Sequence, residues 1–475
     1  MDIYKSRIAG ELRGGGATLE NRNPSDLSDL IGVTHMADTN VLDDAVEAAR
    51  NAQRAWAATS IWDRAHILDA AGNLVFERKQ ALGELLAREE GKTLAEGIGE
   101  TARAGQLLKF FAGEALRLNG EVIDSVRPGV DVSITREPLG VVGAITPWNF
   151  PIAIPVWKLA PALAFGNAVV MKPASLTPAT VDALAAILDE AGLPKGVFNL
   201  VQGNGQIGAE LVGHDGIDAV TFTGSFGVGG KIIKACAKLR RKVQAEMGGK
   251  NPLLVLDDAN IDNAVDCALN GAFFSTGQRC TASSRLIVTD GVHDAFIDKL
   301  ITAMKSLQVG HALEKATQIG PVVSQSQLDS NLNSVARGAE DGAEVIGGER
   351  LNRDTEGFFQ APALLVGANN KMRTSREEIF GPVASVIRVA DYDEGLATCN
   401  DTDFGLSAGI CTTSLCAARD FQRNAEAGMV MVNLPTAGVD PHVPFGGRKG
   451  SSYGAREQGS YAREFFTQVK TAYVG

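Results

Sequence analysis

The sequence predicts an α/β protein with more than one domain, and three observations carry that prediction. From Val141 onward, short apolar runs alternate with helix-length segments, the pattern of parallel βαβ units. Glycine accounts for 53 of the 475 residues and aromatic residues for only 6%, a composition suited to Ala-rich helices and tight strand-to-helix turns. A chain of this length exceeds what one ordinary core accommodates, so two or three domains are expected.

Taken in order, the first part reads as helical. Asn40 to Trp56, Ile61 to Arg88 and Lys92 to Leu118 place apolar residues at helical spacing. Val122 to Glu137 then alternates apolar and polar residues around Pro128-Gly129, which predicts an antiparallel hairpin exposed on both faces. Strands are expected at Val141 to Ile145, Ala168 to Met171, Val197 to Val201, Ala219 to Thr223, Lys242 to Ala245 and Leu253 to Leu256, with one helix over about Pro155 to Ala164 and another beginning near Lys231. A second α/β block starts near Asn251 and runs to about Val432, with strands at Arg285 to Val288, Ala384 to Val389 and Val430 to Asn433. The last residues, Glu464 to Val474, alternate like the hairpin, so the two are expected to share a sheet.

Charge and cysteine usage narrow the function. The formal net charge is −11, with signs mixed along helices such as Asp43 to Arg50, which argues against a general nucleic-acid or membrane-surface partner. Val141 to Met171 carries a single charge, Lys158, over a length that could span a bilayer. Pro147, Pro151, Pro155 and Pro161 would leave unpaired backbone groups there, so buried strands and a helix are expected instead. Six cysteines without CxxC spacing fit a reducing cytoplasm, and the first residues hold no apolar secretory core. No metal-ligand cluster is expected.

Two segments carry chemistry. Gly277-Gln278-Arg279-Cys280-Thr281 sets a thiol in a small, polar setting after Phe273 and Phe274, and Glu246 stands in Glu246-Met247-Gly248-Gly249-Lys250-Asn251. A thiol and a carboxylate, each flanked by glycines, suit covalent catalysis in which the carboxylate moves protons or water. Unpaired cysteines are otherwise mostly buried small hydrophobes. Two glycine turns compete as a phosphate cradle. Gly203-Asn204-Gly205-Gln206-Ile207-Gly208 matches G-x-G-x-x-G but lacks the acidic residue expected after the next strand. Thr223-Gly224-Ser225-Phe226-Gly227-Val228-Gly229 joins an apolar strand to a helix start and is the better candidate.

Seven motifs in order then resemble the aldehyde dehydrogenase superfamily over nearly the whole chain: Pro147-Trp148-Asn149-Phe150-Pro151, Lys172-Pro173-Ala174, Phe222-Thr223-Gly224-Ser225, Glu246 to Asn251, Gly277 to Cys280, Glu378-Ile379-Phe380-Gly381-Pro382 and Pro444-Phe445-Gly446-Gly447. The resemblance implies an aldehyde-dehydrogenase-like fold: a Rossmann-like cofactor domain (1–119 and 139–248), an α/β catalytic domain (249–448) and a small antiparallel oligomerisation sheet (120–138 and 449–475). It implies Cys280 as nucleophile, Asn149 as oxyanion donor and Glu246 as the base that hydrolyses the thioester. It further implies a cofactor, NAD and/or NADP, held by Thr146, Pro147, Trp148, Lys172, Ser175, Gly224, Ser225, Gly229, Glu378 and Phe380. Ser175 stands where many NAD-preferring members carry an acid, so NADP is expected to be tolerated.

The chain is most similar to the branch that oxidises 2,5-dioxopentanoate to 2-oxoglutarate, and Phe150, Trp157, Arg279, Thr281 and Phe445 are the expected substrate residues. Arg279 either faces the substrate as a bidentate carboxylate partner or is a structural ion-pair residue. Succinate or glutarate semialdehyde, or a broad range of aldehydes, are the alternatives. A CoA-acylating activity ranks lower because Glu246 favours water, and a non-catalytic binding protein ranks last. The partner is then a small aldehyde, and a homodimer or homotetramer is expected.

Overall fold

The computed structural model describes residues 2–475. Two large sheets organise it. One has eight strands in the order Ser452–Tyr453, Lys242–Glu246, Ala219–Thr223, Val141–Ile145, Ala168–Lys172, Phe198–Leu200, Ser6–Ile8 and Glu11–Arg13, of which the five from Lys242–Glu246 to Phe198–Leu200 are mutually parallel. The other has seven strands in the order Glu344–Gly347, Ala363–Ala368, Val383–Val389, Ser283–Thr289, Asn251–Val255, Ser407–Cys411 and Met429–Val432, parallel except for the first pair. Their apolar runs are buried on both faces, as parallel strands covered by helices must be.

The helices of the first half are α1 (Thr39–Ala58), α2 (Ile61–Glu77), α3 (Lys79–Glu90), α4 (Leu94–Ala115), α5 (Ala153–Ala164), α6 (Pro178–Glu190), α7 (Gly205–Gly213) and α8 (Phe226–Lys238). Every residue of α5 is buried, Lys158 included, which is why its sequence is apolar all round rather than striped. α4 starts on a capping box in which Thr93 and Glu96 satisfy each other's backbone N–H groups. α6 has no cap of its own, and the buried Glu89 supplies one by accepting from the Ala179 and Thr180 N–H groups at 2.7 and 2.9 Å. The expected helix over Ile61 to Arg88 is two helices that break at Arg78. No glycine or proline marks that break, so periodicity alone runs across it.

The opening residues correct the sequence reading. Before α1 the chain forms five short strands between Asp2 and His35, two of them on the edge of the eight-stranded sheet. These strands are mostly too short for a helical-period scan to register. The hairpin and the terminal strand do pair. Glu121–Asp124, Asp131–Pro138 and Thr467–Val474 form a three-stranded antiparallel sheet, in register from Thr467 opposite Pro138 to Val474 opposite Asp131. Residues 449–475 do not act as one unit, however, because Ser452–Tyr453 adds to the edge of the eight-stranded sheet beside Glu246.

Strand order locates a crevice. From Val141–Ile145 the chain proceeds through α5 to Ala168–Lys172 on one side, then returns through α7 to Ala219–Thr223 on the other. The strand order therefore reverses between Val141–Ile145 and Ala219–Thr223, and ligands of open α/β sheets bind beyond the strand ends at such a point. Glu246 ends the neighbouring strand, and only Met247 to Lys250 separate it from Asn251–Val255 of the second sheet. The C-terminal edge of the first sheet thus meets the N-terminal edge of the second.

Candidate active site

Cys280 lies in that junction, in the loop between a short 3-10 turn (Phe274–Gly277) and the strand Ser283–Thr289. The approach is strained: Ser275, Thr276 and Gly277 all have positive φ, at 50°, 57° and 63°. For the two non-glycine residues this costs of order 1–3 kcal/mol each. Polar contacts hold the loop in place. Ser275 donates its N–H and hydroxyl to Glu96 Oε1 at 2.8 and 2.9 Å, Thr276 donates to the Gly320 carbonyl at 3.0 Å, and Asn251 Nδ2 donates to the Cys280 carbonyl at 2.8 Å. Gly277 is required, because a Cβ there would fall on the Gly381 carbonyl.

Two chambers open from the thiol. One, of about 420 Å³, is lined by α4 residues Glu96, Glu100 and Arg103, by Lys92, Phe150, Trp157, Arg279, Thr281 and Phe445, and by the loop around Val439. The other, of about 290 Å³, is lined by Pro147, Trp148, Asn149, Gly224, Ser225, Glu246, Glu378 and Phe380. Cys280, Trp157 and Phe445 belong to both. The two aromatic rings stack at 5.2 Å between centroids, forming a wall beside the sulfur.

Charges around the thiol are arranged for proton transfer. Burial raises the Cys280 thiol to about 12, reinforced by the Glu378 and Glu246 carboxylates, while the Cys280 and Thr281 backbone N–H groups pull the other way. Burial, followed by repulsion from Glu457, holds Glu246 well above the ordinary carboxylate range. Its Oε2 accepts from Ser452 at 2.5 Å, and its Oε1 has no partner. Behind it, Glu457 pairs with Lys158, which also donates to Thr221 at 3.0 Å. The single charge in the apolar stretch is thus a buried cation with a buried acid opposite it.

Asn149 presents its amide from the loop after Val141–Ile145, donating to the Gln278 carbonyl at 3.0 Å. Its own carbonyl accepts from Lys92 at 2.6 Å, and Lys92 also pairs with Glu100 at 2.7 Å and lies 4.0 Å over the Phe150 ring. Glu100 in turn accepts from the Ile152 and Ala153 N–H groups at the start of α5. Lys92 and Glu100 therefore fix the loop that carries Asn149. Neither stands out in sequence, since a lysine and an acid on a helix read as solvated charge.

The second chamber presents groups suited to a phosphate-bearing ligand. Ser225 precedes α8 without capping it, leaving hydroxyl and first-turn N–H groups available, and Gly227 and Gly230 face open space. Thr146 and Thr223 hydroxyls are buried without partners at the two strand ends that flank the crevice. Glu378 accepts from the Gly249 N–H at 3.0 Å, and burial raises it to about 7. Gly248 leaves the room, because a Cβ there would fall inside the Glu378 carboxylate. Phe380, at φ 61°, meets Trp148 edge to face at 5.4 Å.

Four of the expected cofactor residues lie outside the chamber's lining: Thr146, Lys172, Ser175 and Gly229. Lys172 ends its strand with Nζ donating to the Pro173 and Gly203 carbonyls, and burial lowers it to about 8. Gly229 is needed for close packing of α8 on Met247. The G-x-G-x-x-G segment is a helix start capped by Asn204, so its regular spacing reflects a turn. Arg279 lines the first chamber, but its guanidinium is tied to Glu96 at 3.2 Å and to Asn270 at 3.3 Å, the arrangement of a structural ion-pair residue.

With this geometry in hand, comparison with known proteins is direct. The model of the aldehyde dehydrogenase family matches residues 12–472. The chain is 43% identical to an alpha-ketoglutaric semialdehyde dehydrogenase of Bacillus subtilis (strain 168), over 100% of this chain and 98% of the relative. Among solved structures it is similar to an E. coli NADP dependent enzyme, with a TM-score of 0.96 and 36% identity over 99% of this chain and 98% of that one. It is also similar to a betaine aldehyde dehydrogenase from Staphylococcus aureus in complex with NAD+, with a TM-score of 0.96 and 32% identity over 99% and 97% of the two chains.

Proposed function

Because the chain belongs to the aldehyde dehydrogenase family, it is an enzyme that oxidises aldehydes, and we propose that its aldehyde is 2,5-dioxopentanoate, released as 2-oxoglutarate. The observation that carries the reading is the placement of Cys280 on a wall shared by two chambers, one rich in cations and one shaped for a dinucleotide. The relatives bear substrates of opposite charge by their names, so the fold leaves the substrate's charge open. The first chamber favours an anion: Lys92, Arg103 and Arg279 line it, against the carboxylates of Glu96 and Glu100.

Ser225 and Gly224 at the start of α8 and Glu378 would hold the oxidant, NAD or NADP, which would supply a hydride acceptor for the substrate carbon. This chain's residues do the rest. Cys280 adds through sulfur to the aldehyde carbon, its proton passing to Glu246, and the carbonyl electron pair moves onto oxygen. Asn149 Nδ2 and the Cys280 N–H stabilise that oxyanion; one such donor is typically worth ~3 kcal/mol. Loss of hydride leaves a thioester. Glu246, whose proton affinity burial raises, gives the thiol's proton up to solvent and then takes a proton from water as it attacks the thioester carbon, and the Cys280 sulfur departs as thiolate. Glu246, lining the thiol's chamber with an oxygen that has no partner among the described residues, supports a hydrolytic rather than an acyl-transferring step.

The three-stranded sheet leaves Val122, Val469 and Tyr473 exposed at 88%, 58% and 61%, and an edge of this kind is covered in a second copy of the chain under our reading. Six free cysteines suit a reducing compartment such as the cytoplasm. No helix among the described residues is long and apolar enough to cross a membrane. The test is kcat/KM for 2,5-dioxopentanoate against succinate semialdehyde, glutarate semialdehyde and pentanal. A preference for 2,5-dioxopentanoate over the other three supports the proposal, and an equal or greater value for any of them overturns it.

A further inference from the structure

Three cations line the first chamber, and they are not equivalent. Lys92 is spent on Glu100 and on the Asn149 carbonyl. Arg279, the residue the sequence singles out, is spent on Glu96 and both oxygens of Asn270. Arg103, one turn beyond Glu100 on α4, differs: among the described residues its only hydrogen-bond partners are uncharged, the Val439 carbonyl and the Gln458 side-chain oxygen. Burial lowers its proton affinity, with only the more distant Asp440 and Glu100 opposing. A half-buried guanidinium with no carboxylate in ion-pair reach among the described residues is an unfavourable arrangement for stability alone, and it lines the cavity that ends at Cys280.

We propose that Arg103 is the specificity-determining cation of this enzyme and takes the carboxylate of the substrate. A guanidinium presents its five donors as a planar fork, so the two bonds it donates to Val439 and Gln458 leave further N–H groups for an anion. These two partners also steer it. Val439 belongs to a loop lining the chamber, and Gln458 follows the buried Glu457, so two separate stretches of the C-terminal part of the chain converge on this side chain. Arg279 then acts as a positioning residue: it and Ser275 share Glu96, which ties the strained approach to Cys280 onto α4. The aldehyde end of the substrate reaches Cys280 past Trp157 and Phe445, whose apolar rings suit the carbon chain between. An uncharged aldehyde fills the same space without neutralising Arg103.

This inference rests on the carboxylate-bearing aldehyde proposed above, and the experiment separates the two. Wild-type enzyme, R103M and R103K are assayed with 2,5-dioxopentanoate and with pentanal, and glutarate is titrated as an inhibitor of pentanal oxidation. The expected result is that R103M lowers the ratio of the two kcat/KM values at least ~30-fold, mainly through KM for the acid, that R103K recovers part of it, and that glutarate inhibition weakens by a similar factor. Equal losses on both aldehydes, or undiminished glutarate inhibition in R103M, overturn the assignment to Arg103 and mark it as structural. If wild-type enzyme shows no preference for the acid and no glutarate inhibition, the proposed substrate class fails first, and with it this inference.

Discussion

In the cofactor-free enzyme the Cys280 thiol should be slow to alkylate, despite opening onto a large chamber. Burial and two nearby carboxylates raise it to about 12. An ordinary thiol titrates near ~8.5, so at pH 7.5 its thiolate fraction is about 10%, whereas a thiol at about 12 is ionised to roughly 3 parts in 10⁵. The more basic thiolate is intrinsically more nucleophilic, and with a Brønsted coefficient of about 0.45 this returns roughly 40-fold. The net expectation is alkylation about 10²-fold slower than an ordinary thiol. The assay is iodoacetamide labelling resolved by peptide mass, with the exposed Cys416 as internal comparator and the four buried cysteines as negative controls. The Cys280 rate should rise about tenfold per pH unit up to pH ~10 without a plateau, since thiolate fraction is limiting. E246Q and E378Q should each speed it, because both carboxylates raise the thiol. Labelling of Cys280 before Cys416 at neutral pH, or a plateau below pH ~9, would refute the reasoning.

The other predictions concern proton transfer and cofactor. E246Q should retain the single-turnover burst of reduced nicotinamide while steady-state acid release falls ~10²-fold or more; unchanged release would exclude water activation. In wild-type enzyme the same release should fall as pH drops through a value above the usual carboxylate range, because Glu246 acts as the deprotonated base and burial raises it, and E246Q should lose this dependence. Gly248→Ala should displace Glu378 from the Gly249 N–H and weaken dinucleotide binding by about tenfold or more, as the loss of one charge-assisted hydrogen bond implies; fluorescence titration with reduced cofactor checks this, and wild-type affinity would contradict it. Ser175 offers no charge against a 2′-phosphate, so steady-state turnover with NADP should be measurable beside that with NAD, and its absence would sink the expectation.

What was legible in the sequence follows from range. The parallel strands were visible because their burial is recorded as continuous apolar runs, and the terminal strand matched its hairpin partner across more than 300 residues because both carry the same alternation. Cys280 and Glu246 stand out as the candidate nucleophile and base because glycines mark close approach around them. The short strands before α1 were missed because most are only three residues long, with little periodicity to read. The hardest residues to see are ordinary-looking polar groups: the charges of Lys92, Glu100 and Glu457, which the fold buries, and Arg103 and Ser452, which it half-buries. Sequence could flag only Lys158, by its isolation, and its partner Glu457 lies 299 residues away.

Glu96 shows how these long-range contacts become catalytic order. Its Oε2 completes the capping box by accepting from Thr93 at 3.1 and 3.0 Å, while its Oε1 accepts twice from Ser275 and once from Arg279. Hydrogen bonds to a charged group contribute about 1.5–3 kcal/mol each, which is the scale of the strain stored at Ser275 and Thr276. Without the carboxylate, neither term would be offset: the left-handed turn would relax, and Arg279 would be a second unpaired cation beside the substrate. One side chain, recruited by a motif that in sequence only announces a helix start, therefore sets both the position of Cys280 and the number of unpaired cations lining the first chamber. Specificity and reactivity are coupled here through α4, so a change that frees Arg279 should relax the loop holding Cys280 as well.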